Sequence, residues 1–271
     1  MKRILTLLAL VSMLVFMQGC KKQSGSGSAT LTVKRLNGLA LTDATTDEVI
    51  GTVESLSATA AARSVEAHHY LPSCVTVTRV QLGDTLSVTW QFAEGGCQMP
   101  NGRLYEGSLE IRHILRIGNH QLIIRLNDDF AVDSVDVDGY ARRTHLHLNE
   151  DGNPQSTFAF DVQVTPPRDQ SFHATGERTR VMVEGFRTAR PDDNVWEITG
   201  RWTVEYAGGD TYMVETLTPL RKTFGCRWYV SGTVSIRHND RTYTLDYGDG
   251  TCDNEAILTT PDGQTQVIEL R

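Results

Sequence analysis

The stretch Cys226–Cys252, CRWYVSGTVSIRHNDRTYTLDYGDGTC, decides how this chain is read. Two runs of alternating apolar and polar residues flank the turn pair Asn239-Asp240, and a cysteine stands at each end. A period of two puts Tyr243, Leu245 and Tyr247 on one face of an extended strand, and Gly250 and Cys252 follow. The same design occurs earlier in the chain. Val88, Trp90, Phe92 and Gly95 stand at the same offsets before Cys97, and Cys74 opens that unit. Two cysteine-closed hairpins, one near each end of the domain, read as a duplicated structural module.

Outward from these hairpins the alternation continues. It runs unbroken over Thr85–Phe92 and recurs at Leu122, Ile124 and Leu126, at Phe158, Phe160, Val162 and Val164, and at Trp202, Val204 and Tyr206. Turn signals such as Asn101-Gly102, Gly118-Asn119 and Gly208-Gly209 separate the runs. Strands with one apolar face and one face rich in Thr, Arg and Asp predict an all-β domain over 71–271. Its expected form is an antiparallel meander making a curved sheet or a sandwich. Gly107, Gly139, Gly176, Gly200 and Gly232 lie near strand starts, where glycine suggests bulges or bends.

The N-terminal region is different in kind. Met1-Lys2-Arg3 is basic, and ILTLLALVSMLVFM (4–17) is apolar but short for a membrane span. Gln18-Gly19-Cys20 then resembles a lipobox. Residues 1–19 are therefore expected to be a lipoprotein signal peptide, with Cys20 lipidated. Removing Cys20 from the five cysteines leaves four, and in an oxidising compartment four cysteines predict two disulfides. Cys74–Cys97 and Cys226–Cys252 are the expected pairs, because each brackets one hairpin. Closing each loop stabilises by about 3–4 kcal/mol in the chain-entropy model. A four-cysteine zinc site would need closer ligand spacing. Residues 20–40, which include KKQSGSGS (21–28), read as a flexible linker. Over 41–70 a short helix and a connection are expected. Thr45-Thr46-Asp47-Glu48 matches a capping box, and Val49, Val53, Leu56 and Ala60 follow at helical spacing. That helix is placed at about 46–62 and is amphipathic, either packing against the sheet or extending the linker.

Losing residues 1–19 removes Lys2 and Arg3, which takes the net charge from −7 to −9. Such a domain is unsuited to nucleic acid, and the expected membrane partner is reached through the acyl anchor.

The lipobox, the linker, LPSCVTVTRV (71–80), GGC followed by PNGRLYEG, and LDYGDGTCDNEA (245–256) together resemble cell-envelope lipoproteins of the Bacteroidota. The resemblance implies an exported, β-rich, anchored protein and assigns no activity. Lys21-Lys22-Gln23 departs from the acidic pattern associated with surface display in such bacteria. The outer membrane, facing the periplasm, is the expected location.

Motifs for chemistry are sparse. His145 and His147 share a strand face and could chelate a metal, but Leu146 and Leu148 opposite them make that face the solvent side. His68-His69 reads as a polar connection. Asp133, Asp136 and Asp138, and more persuasively Asp246, Asp249, Asp253 and Glu255, resemble calcium loops without their full spacing. Turn chemistry explains the same residues. Trp90 and Trp202 fall in core register, whereas Trp196 and Trp228 adjoin turns and could stack on a sugar or peptide instead of packing. No nucleophile elbow, P-loop, dinucleotide fingerprint or H-E-x-x-H is present.

The leading expectation is a non-catalytic, outer-membrane-anchored lipoprotein with a binding or envelope-structural role. It would act without a cofactor on a protein, glycan or lipid partner. The alternatives are a periplasmic carrier of a lipid or other hydrophobic ligand, and a hydrolase of envelope glycan or peptide.

Overall fold

The computed structural model describes residues 31–61, 71–116, 119–188 and 190–270. The alternating runs form sixteen strands among these residues. In chain order they are β1 (Val75–Leu82), β2 (Thr85–Phe92), β3 (Cys97–Gln98), β4 (Leu104–Glu106), β5 (Ser108–Arg116), β6 (Asn119–Leu126), β7 (Ala131–Val132) and β8 (Val135–Leu148). There follow β9 (Pro154–Thr165), β10 (Phe172–Glu184), β11 (Val195–Tyr206), β12 (Thr211–Thr223), β13 (Ser231–His238), β14 (Arg241–Asp249), β15 (Glu255–Thr259) and β16 (Thr265–Glu269).

Every pairing is antiparallel, and the main path runs β1-β2-β5-β6-β8 and then strand by strand to β16. The short strands β3, β4 and β7 form a side ladder that joins β8. The path does not return on itself, so the sheet is open, with β1 and β16 at its edges. It is an all-β antiparallel meander, as the alternation predicts. A sandwich is not formed, because the residues of the apolar face all belong to one sheet and face a helix rather than a second sheet.

Each run singled out by its period lies on the inner face. Trp90, Phe92, Ile124, Phe158, Phe160, Trp202, Val204, Tyr243 and Leu245 are all buried in one continuous core. The two disulfides join Cys74 to Cys97 and Cys226 to Cys252, with Cα separations of 5.6 and 5.9 Å. They close the β1–β2 and β13–β14 hairpins as the matching offsets predict.

Curvature enters where the register slips. The β13–β14 ladder shifts between Ser231 and Thr233 and the β8–β9 ladder between Arg143 and His145, as expected of bulges that bend a sheet. Gly139 in β8 has φ 121°, and a Cβ there would lie 2.2 Å from the Asp161 carbonyl oxygen of β9. Only glycine lets the two backbones approach so closely while taking that conformation.

The helix departs most from expectation. It is α1 (Val33–Ala61), 29 residues long, so it is not short and not confined to 46–62, and its first two turns lie inside the stretch read as linker. Its N-cap is Thr32, whose Oγ1 accepts the Arg35 backbone N–H at 3.2 Å. The apparent capping box at Thr45–Glu48 is mid-helix. Nor does α1 show an apolar stripe. Every residue from Gly38 to Val53 is buried, including Asp43, Asp47 and Glu48. The reason is tertiary: the sheet curls around the helix, and side chains from β4, β9, β10, β12 and β14 all reach it. Glycine permits two of these approaches. Tyr206 Oη lies 2.2 Å from where a Cβ of Gly38 would stand, and Arg180 Nη2 lies 2.9 Å from that of Gly51.

Candidate functional site

Buried acids on α1 require partners, and the inner face of the sheet supplies them. Asp43 and Asp47 are four residues apart, so both point the same way from the helix. On β10, Arg178 and Arg180 occupy the inward register of Phe172 and Ala174 and are themselves buried. Arg178 spans the two aspartates: Nη2 donates to Asp43 Oδ1 at 2.5 Å and Nη1 to Asp47 Oδ2 at 2.8 Å. Arg180 donates from Nη1 to Asp47 Oδ1 at 3.0 Å and from Nε to Glu54 Oε2 at 3.1 Å. The Tyr229 hydroxyl donates to Asp47 Oδ2 and that of Tyr247 to Asp43 Oδ2. Aromatic faces complete the enclosure, with the Arg178 guanidinium 4.1 Å from the Trp202 ring centroid and that of Arg180 5.3 Å from Trp196.

A second group lies beside it along the helix. Lys222 Nζ forms an ion pair with Glu48 Oε2 at 2.8 Å and donates to the carbonyls of Cys226 at 2.6 Å and Arg227 at 2.8 Å. Asn101 Nδ2 bonds the other Glu48 oxygen at 2.6 Å, and the Tyr105 hydroxyl reaches Thr52.

This environment separates the two aspartates. Burial pushes Asp43 up to about 7, with the neighbouring Asp47 adding to the effect and Arg178 opposing it. Burial would also raise Asp47, but Arg178 and Arg180, with the Tyr229 hydroxyl, outweigh it and hold that carboxyl below the ordinary range. Carboxylates displaced in opposite directions are a pattern of acid–base sites. Here they lack room for a substrate. The cavity beside Asp47, Glu48 and Arg180 is about 10 Å3, space for no more than one water. The network is therefore a polar key between helix and sheet. A pair of this kind is costly to break and contributes little net stability over an apolar equivalent.

Open space lies on the other side of the sheet. A groove of about 490 Å3 is lined by Arg112 of β5, Ile123 and Arg125 of β6, Asp128 after it, and Asp138, Gly139, Tyr140 and Arg142 of β8. Register assembles it: Arg112, Ile123 and Arg142 stand in one cross-strand row, and Glu110, Arg125 and Tyr140 in the next. β6 ends at Leu126, opposite Gly139. Tyr140 is 45% exposed. Arg112 is held by Glu110 at 2.8 Å, a bond that keeps the Glu110 carboxyl below its ordinary range. Arg142 makes no ion pair among the described residues, and Arg125 acts on Glu110 across the strands, where its charge helps to lower that carboxyl. Elsewhere on the outer face Arg201 pairs with Glu215 and Arg221 with Glu184 across strands, while Arg237 donates to the Met213 sulfur.

The residues singled out from the sequence are dispersed. Cys20, the linker 21–28 and His68-His69 lie outside the described residues. Asp246, Asp249, Asp253 and Glu255 do not assemble a calcium loop. Asp246 Oδ1 accepts the Gly248 N–H at 2.9 Å, Asp249 Oδ1 that of Thr251 at 3.2 Å and Asp253 Oδ1 that of Glu255 at 3.0 Å. Each aspartate thus caps its own turn two residues on. Asp133 is similarly engaged, accepting the Leu104 N–H and pairing with Arg103. Among the described residues no three His, Cys, Asp or Glu side chains converge as a metal site. Leu146 and Leu148, expected on the inner side, are 47% and 66% exposed, because the register shift at Arg143/His145 and the overhanging end of β8 carry them off the packed face. Trp196 and Trp228 are buried at 3% and 5% exposure and offer no stacking surface.

Neither the buried network nor the groove stands out as a motif. Arg178, Arg180 and Lys222 could have been found as cations in the inward register of otherwise apolar strands, a violation of the binary pattern. The groove had no comparable signal, since outward arginines on three separate strands look like ordinary surface. No family model matches the chain, and neither a curated protein nor a solved structure does so.

Proposed function

We propose that the chain is a lipid-anchored, non-catalytic binding protein of the cell envelope, tethered through Cys20. Its working surface is the outer face of the sheet around β5, β6 and β8. One contrast carries this reading: the interior is sealed by its own ion pairs, whereas the outer groove is open, about 490 Å3 in volume, and presents the exposed guanidinium groups of Arg125 and Arg142. A carrier would use an uncovered apolar concavity, and α1 occupies the concave side with buried residues from Gly38 to Val53. A hydrolase would use convergent titratable groups reached by solvent, and Asp43 and Asp47 are fully enclosed.

Hydrogen exchange on the exported protein, with and without a detergent-free envelope extract, tests the proposal. Protection confined to β5, β6 and β8 is the expected result. Protection of α1, turnover of the extract, or an acyl species retained in native mass spectrometry would each overturn it.

A further inference from the structure

We propose, resting on that binding reading, that the groove on β5, β6 and β8 takes an acidic saccharide, a sugar chain carrying carboxylate or sulfate groups. The lining divides into three kinds of surface. Arg125 and Arg142 are exposed, on adjacent strands and diagonal to one another across the register. Planar guanidinium forks match the geometry of carboxylate and sulfate; Arg142 has no ion pair among the described residues and Arg125 is engaged only through the charge of Glu110 across the strands, so both keep donors for a ligand. Tyr140 and Ile123 occupy the other diagonal of the same two rows, and an exposed tyrosine ring is an apolar platform with a polar tip. Asp128 and Asp138 also line the groove. Ionised carboxylates only accept hydrogen bonds, so they favour hydroxyl donors and repel anionic groups.

A ligand that satisfies all three surfaces has an anionic group at the arginines, a flat ring face over Tyr140 and hydroxyls toward the aspartates. Acidic sugars combine these. A polyphosphate or nucleic acid would set further negative charge against Asp128 and Asp138 and against a chain whose net charge is −7. A purely apolar ligand would leave the arginines unanswered. The arrangement also places the cost of ligand recognition away from the core, since none of these side chains supports α1.

Calorimetric titration of the full-length protein with trigalacturonic acid tests the proposal, with maltotriose and triglutamate as comparison ligands. Saturable binding of trigalacturonic acid, weaker by about tenfold or more in the Arg125→Gln/Arg142→Gln variant, is expected from the loss of charge-assisted hydrogen bonds. A smaller loss is expected for Tyr140→Ala. Unchanged melting temperatures would show that the exposed substitutions leave the fold intact. Absence of saturation, equal binding by the double variant, or tighter binding of maltotriose or triglutamate would overturn it. If extract still protects β5, β6 and β8 while trigalacturonic acid does not bind, the ligand class is wrong and the binding surface stands. If extract gives no protection there, the binding reading itself falls.

Discussion

Replacing Asp43 with asparagine should remove a pH dependence that the fold builds into its centre. Asp43 is fully enclosed against Arg178, Tyr247 and Asp47, and its carboxyl is pushed up from 3.8 to about 7. A carboxyl with a raised folded-state pKa binds its proton more tightly in the folded protein than in the unfolded chain. The stability it contributes is complete below about pH 4 and is lost as pH rises toward 7. That rise corresponds to about 4 kcal/mol as an upper limit, at about 1.36 kcal/mol for each pH unit. Between about pH 5 and pH 7 the remaining loss is up to about 3 kcal/mol. The asparagine side chain has the same shape, still accepts from Arg178 Nη2, and can donate to the Tyr247 oxygen. It has no charge to desolvate. Urea unfolding with the disulfides intact should therefore give nearly equal stabilities for the two proteins at about pH 4. At about pH 8 the Asp43→Asn variant should be the more stable by up to about 4 kcal/mol. Groups that titrate in both proteins cancel in the difference. An identical pH slope for the two, or a variant less stable at the higher pH, would refute the placement of a costly buried charge at Asp43.

Two further outcomes follow from the same geometry and from the N-terminal sequence. Arg178→Met should cost about 3–5 kcal/mol, because it strands Asp47 and Asp43 without their shared partner. Adding Asp43→Asn and Asp47→Asn should recover most of that loss; urea midpoints of the single and triple variants decide it, and an unrescued triple variant would show that the arginine acts by packing. Cys20→Ala should move the protein from the membrane to the soluble periplasmic fraction, and continued attachment on fractionation would exclude the acyl anchor.

The division between legible and hidden features follows the range of the forces involved. Trp90, Phe92, Tyr243 and Leu245 could be assigned to an inner face because strand periodicity is a local property of the backbone, expressed over a few residues. The cysteine pairs were legible for a related reason: each closes a hairpin across a separation of only 23 or 26 residues, and the strands between are themselves local. Asp47 and Glu48 misled because acidic residues near a helix start and acidic residues gripping distant cations look alike in sequence. Arg178 meets Asp47 across 131 positions and Asp43 across 135. Whether a charged helix face meets water or an arginine depends on how far the sheet curls, and that is set by bulges and glycine contacts summed over many strands. The sequence by itself determined the strands, their apolar face and the disulfide frame. Only the tertiary structure decided that this face closes on a helix whose acids are buried with its apolar residues, and that arginines from neighbouring strands gather in a groove on the outside, because both depend on contacts between residues far apart in the chain.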